Sequence, residues 1–142
     1  MDHTFRHFLD RFLEVWSLSV LEELKNMISE DYHGREISNS EIIDFGYVES
    51  LDGWEQGFKF VNEHNAKWIL KEMDIIPLRE NENLVIISAT MEIYGKRLKT
   101  GNLFFDTFRK NDLNEWKLVR SYIEAGNFSR AYFEKIEFDK DR

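Results

Sequence analysis

The stretch LFFDTFRKNDLNEWKLVRSYIEAG, residues 103–126, reads as two strands joined by a polar turn. Residues 103–110 are aromatic-rich, and strand alternation puts Phe104, Asp106 and Phe108 on one face. Leu103, Phe105, Thr107 and Arg109 share the other. A carboxylate thus stands between two phenylalanines. Left unpaired there, it would hold its proton, because desolvation disfavours the charged form. That is the state of a general acid or hydrogen-bond donor. The second strand, 116–125, decides between this and two other readings. With a five-residue turn, 111–115, Arg120 lies opposite Asp106, and Leu118 and Tyr122 share its face. Asp106 is then half of an ion pair, and Arg120 with Tyr122 could hold a ligand carboxylate or phenolate. With a four-residue turn the parity flips, and Val119 and Ser121 face Asp106. The third reading points the whole Asp106 face outward.

Working upstream, residues 84–94 (LVIISATMEIY) have the β-branched richness of a central strand. Gly95-Lys96 suits a tight hairpin, which brings Val85, Ile87 and Ala89 onto the Asp106 face. Residues 66–78 form another strand, whose end Pro77 assigns to an edge or bulge. Residues 31–50 have the texture of short strands. Phe5, Phe8, Leu9, Phe12, Leu13 and Trp16 recur at helical spacing, and a capping box at Ser19–Glu22 predicts a second helix carrying Leu21, Leu24 and Ile28 inward. A third helix from Ser50 to about His64 presents Trp54, Phe58 and Val61. Helices first and a strand meander after them predict an α+β domain with helices on one face of an antiparallel sheet.

The chain has 142 residues, with 42% apolar and 15% aromatic side chains, enough for one core and an aromatic-lined cavity. Its net charge of −8 argues against nucleic acid, whose binding needs a basic stripe, and against anionic membranes. No run of residues approaches a membrane span. There is no cysteine, hence no disulfide or thiolate zinc site. Charges thread the first twelve residues, so they do not read as a signal peptide, and a cytoplasmic protein is expected.

The order of elements, with the segment FFDTFRKNDLNEWKLVRSYIEAG, resembles the nuclear transport factor 2-like superfamily, which includes the ketosteroid isomerases, SnoaL-like polyketide cyclases and scytalone dehydratase. The resemblance covers about residues 5–125 and implies one domain over 1–142. That domain would be a cone of three helices and five or six curved strands with a pocket at its open end, assembled as a homodimer. It also implies that Asp106-Thr107-Phe108-Arg109 occupies the place of the isomerases' protonated oxyanion-hole aspartate. Glu36 falls near their general base, where the family has aspartate. Their catalytic tyrosine falls at Phe12, which has no hydroxyl.

A small apolar or aromatic molecule, including flat polycyclic ones, is therefore the expected ligand, with proton-transfer chemistry of the isomerase, dehydratase or cyclase kind. Asp106, Glu36 and His33 are the candidate catalytic groups, imidazole being a common proton carrier at physiological pH. Trp54, Tyr32, Phe104, Phe108, Arg120 and Tyr122 are the candidate ligand contacts. The alternative is a dimeric interaction or ligand-sensing module whose sheet face meets a partner. His3, His7 and Asp10 have a metal-like spacing but read as an exposed helix face. No metal is expected, and no phosphate loop or other cofactor motif occurs, so no cofactor is expected. Residues 127–142 carry Tyr132, Phe133, Ile136 and Phe138 among charges and read as an amphipathic tail covering a subunit edge.

Overall fold

Phe5, Leu9, Phe12 and Trp16 are fully buried along one stripe of the first helix, as their spacing predicts; Val15 joins them, while Phe8 and Leu13 of the predicted stripe are only partly buried. The computed structural model describes residues 3–129, with side chains described through 126. The helices are α1 (His3–Leu18), α2 (Leu21–Lys25) and α3 (Tyr47–Glu63). The strands are β1 (Ile28–Ser38), β2 (Glu41–Phe45), β3 (Ala66–Arg79), β4 (Glu82–Ile93), β5 (Lys96–Arg97), β6 (Thr100–Lys110) and β7 (Trp116–Ser129). They form one open sheet of seven strands in the order β2-β1-β7-β6-β4-β3, with β5 added to β4. α1 and α3 pack on its inner face. The expected α+β cone is present, with more strands than the five or six predicted. It is also mixed, because β1 pairs parallel to β7.

α1 ends differently from the prediction. Ser19 is no N-cap; it takes a left-handed conformation (φ 57°), and its N–H bonds to Trp16 O while Val20 N–H bonds to Val15 O. These two bonds are a Schellman ending, which turns the chain without a capping box. The Ser19 hydroxyl instead accepts from Trp68 Nε1 at 3.0 Å. α2 is correspondingly short, and Ile28 belongs to β1. α3 starts at Tyr47, three residues before the expected Ser50.

Pro77 lies on β3, an end strand, beside an irregularity between Pro77 and Arg79. The β4–β5 turn is Tyr94-Gly95, both at positive φ, one residue earlier than predicted. β4 and β6 nevertheless pair as expected, Val85 with Asp106 and Ile87 with Phe104. No helix among the described residues is long and apolar enough to cross a membrane. The segment expected over 127–142 lies outside the described residues, except that β7 continues to Ser129.

Candidate functional site

One transverse row of side chains organises the inner face of the sheet: Ile75, Val85, Asp106, Ser121, Gly34 and Phe45, each paired with the next across β3, β4, β6, β7, β1 and β2. Asp106 occupies the middle of this row and is fully buried. The 111–115 turn has the five-residue length that should bring Arg120 opposite Asp106, and Lys110 pairs with Trp116 accordingly. The register then shifts between Thr107 and Phe108. Phe108 faces Leu118, but Thr107 faces Arg120, leaving Val119 as an extra residue in β7. A one-residue bulge exchanges the two faces of everything beyond it. Ser121 therefore stands opposite Asp106, and the expected Asp106–Arg120 pair is absent.

Neither Asp106 oxygen has a hydrogen-bond partner among the described residues. Burial pushes its pKa up to about 7, opposed by the Ser121 hydroxyl, which is near without closing a well-formed hydrogen bond. Tyr32 is also buried. Desolvation raises its phenol, as does the neighbouring Asp106, while the hydroxyls of Ser121 and Ser50 draw it the other way. Gly34 makes this grouping possible: a Cβ there would lie 2.7 Å from the Tyr32 hydroxyl and would collide with the Phe45 ring.

Beside this row lies a cavity of about 190 Å³. Its aromatic walls are Trp16 from α1, Trp54 from α3, Trp68 from β3, Phe104 from β6, and Tyr32 with Phe45 from the β1–β2 pair. Trp16 meets Trp54 edge-on at 4.9 Å and Phe104 at 5.0 Å, while Trp54 and Phe104 run nearly parallel at 6.5 Å. The polar part of the lining includes Glu36, Glu49, Ser50 and Ser121. Asp106 sits behind this wall, next to Ser121. Trp68 and Trp116 donate their indole N–H groups to Ser19 and Thr4, whereas buried Trp16 Nε1 has no partner among the described residues.

The structure brings Asp106, Tyr32, Glu36, Trp54 and Phe104 to this end of the cone. It does not bring the others. Phe108 is core, packed in tilted and edge-on contacts with Phe5, Phe8 and Phe12 at 5.2–5.7 Å. His33, Arg120 and Tyr122 lie on the outer face, around a second hollow of about 690 Å³ that shares Phe45, Glu49 and Ser121 with the cavity. Arg120 there approaches Glu82 at 3.5 Å, and the Tyr122 hydroxyl donates to Glu124. Glu82 is buried beneath Arg79, Arg109 and Arg120. Burial raises its pKa, but the Arg109 hydrogen bond and the three guanidinium charges outweigh that and hold it below the ordinary range. Sequence reasoning missed Ser121, Ser50, Trp16 and Glu49 as cavity groups. Ser121 was visible as one of two alternatives, and Glu49 follows once α3 is started at Tyr47.

No protein-family model matches the chain, and no curated protein matches it. Solved structures do. An NTF2-like protein with a cystatin-like fold from Novosphingobium aromaticivorans superposes with a TM-score of 0.66 at 14% identity, covering 94% of this chain and 87% of its own. An NTF2-like protein of unknown function from Shewanella oneidensis gives 0.64 at 15%, covering 84% and 95%. A ketosteroid isomerase-like protein from Erwinia carotovora atroseptica gives 0.56 at 12%, covering 80% and 87%. At these identities the likeness is one of fold.

Proposed function

We propose that this chain, which has the NTF2-like, cystatin-like fold, is a cytoplasmic protein that binds a small aromatic or largely apolar molecule in the cavity at the open end of its cone. The observation that carries this reading is an aromatic-walled space of about 190 Å³ beside a fully buried carboxyl group with no hydrogen-bond partner among the described residues. A carboxyl group costs stability in such a place, and evolution towards stability alone would have replaced it. A cavity of about 150 Å³ accommodates benzene, so this one suits a one-ring or small two-ring molecule, and a polycyclic ligand would require the walls to part. Glu36, on the wall, and Asp106, behind Ser121, are the groups that could move a proton, in chemistry of the isomerase, dehydratase or cyclase kind.

The test is a thermal-shift and native mass spectrometry screen with one- and two-ring molecules, on the wild type and on Trp54→Ala. At least one compound raises the melting temperature of the wild type and forms a mass adduct that Trp54→Ala loses. If no compound does either, the cavity is a packing void and the reading falls.

A second reading has its own observation. Ile76, Leu84, Ile86, Phe105 and Tyr122 form an apolar band on the outer face, away from α1 and α3, exposed at Tyr122 (41%) and Ile76 (39%), half-buried at Leu84 and Phe105 and buried at Ile86. A second copy of this chain is the proposed occupant, which makes the protein a homodimer.

A further inference from the structure

With Arg120 turned to the outer face, the cavity keeps carboxylates and no cationic side chain. Among the described residues its lining includes no lysine, arginine or histidine; the charged groups are Glu36 and Glu49. Neither glutamate is in an ion pair among the described residues, unlike Glu14, Glu23, Glu72 and Glu82, each of which holds an arginine. Unpaired carboxylates are common on surfaces, but these two share a concave space with six aromatic rings. Asp106 adds a third carboxyl on the same side, one layer behind Ser121.

Aromatic faces carry negative quadrupoles, and a cage of them beside carboxylates attracts a cation while repelling an anion. A neutral ligand gains nothing from the charge, and a carboxylate, phenolate or phosphate would meet only like charge. We infer that the ligand of this cavity is a small organic cation, an amine or quaternary ammonium compound, held by the Trp16, Trp54, Trp68 and Phe104 rings and by Glu36 and Glu49. This rests on the proposal that the cavity binds a ligand and adds the chemical class. It also replaces the expectation that Arg120 anchors an anionic ligand in the cone.

The test compares three probes of nearly equal size and different charge, benzylammonium, benzyl alcohol and benzoate, by isothermal titration at neutral pH. Benzylammonium binds about tenfold or more tightly than benzyl alcohol, and benzoate does not bind. In a Glu36→Gln, Glu49→Gln double variant the preference for benzylammonium over benzyl alcohol is lost. A cooperative thermal unfolding transition like that of the wild type shows that the variant is folded. If benzyl alcohol or benzoate binds as well as benzylammonium, the cation assignment is wrong and the cavity reading survives. If none of the three binds, both fail. If the double variant keeps the preference, the glutamates do not set it and the assignment is overturned.

Discussion

Asp106 is held where ionisation is expensive, and that has a consequence for stability. A free aspartate titrates near 3.8, whereas Asp106 in the folded chain titrates near 7. Below the lower value both states carry the proton and the group is neutral in the balance. Between the two the unfolded chain ionises and the native one does not, so stability falls as pH rises. Above 7 both are ionised, and the penalty levels off at about 4 kcal/mol. Asp106→Asn keeps the shape and removes the titration. Its stability relative to wild type, from urea unfolding, should improve by a few kcal/mol between pH 4.5 and pH 8; a difference that stays constant with pH would mean that Asp106 is ionised or paired in the native state. Gly34, two places along the same row, makes the complementary prediction. Gly34→Ala drives a methyl group into the Tyr32 hydroxyl and the Phe45 ring, at a cost of about 1–3 kcal/mol. Equilibrium unfolding measures it, and a neutral result would show that β2 shifts freely.

At the scale of elements, the decisive feature is a single extra residue. Val119 in β7 moves Arg120 and Tyr122 outside the cone and brings Ser121 in. The α1 stripe, the strand order from β3 to β7 and the Asp106 face could all be read from periodicity, because each rests on many residues agreeing. The bulge could not. Strand alternation has a period of two, so one inserted residue inverts the pattern, and Val119 is an ordinary β-former with no glycine or proline to mark it. The Ser19 ending escaped for a related reason: serine followed three residues later by glutamate fits a capping box, and only the backbone shows the left-handed turn. The register is directly testable, since the chain has no cysteine of its own. Cross-strand neighbours fall within disulfide range. Thr107→Cys with Arg120→Cys should therefore crosslink on mild oxidation, and Asp106→Cys with Arg120→Cys should not. Gel mobility before and after reduction reports both, and the opposite outcome would restore the Asp106–Arg120 pair.

At the scale of the whole molecule, the question is what covers the outer face of the sheet. α1 and α3 pack on the inner face, and the apolar band through Ile86, Phe105 and Tyr122 lies on the other. Ile86 is buried, but Tyr122 and, further along, Ile76 are exposed, and exposed apolar groups clustered in this way mark contact surfaces. Electrostatics alone would keep copies apart, because each carries −8, yet that repulsion is screened within about 10 Å at 0.1 M salt. The polar groups flanking the band are already paired within the chain, Arg35 with Asp44 and Arg120 with Glu82, so burying them leaves few charges without partners. Apolar contact then decides the association, and it strengthens rather than weakens with salt. Sedimentation equilibrium should give twice the 17.1 kDa chain mass at low salt and at 1 M sodium chloride. Phe105→Glu, which puts a charge in the centre of the band, should give the single-chain mass at both. Ligand binding should survive in that variant, since Phe105 lies on the face opposite the cone cavity. A wild type that sediments as one chain at both salt concentrations would leave the band without its second copy and remove the dimer from the proposed function.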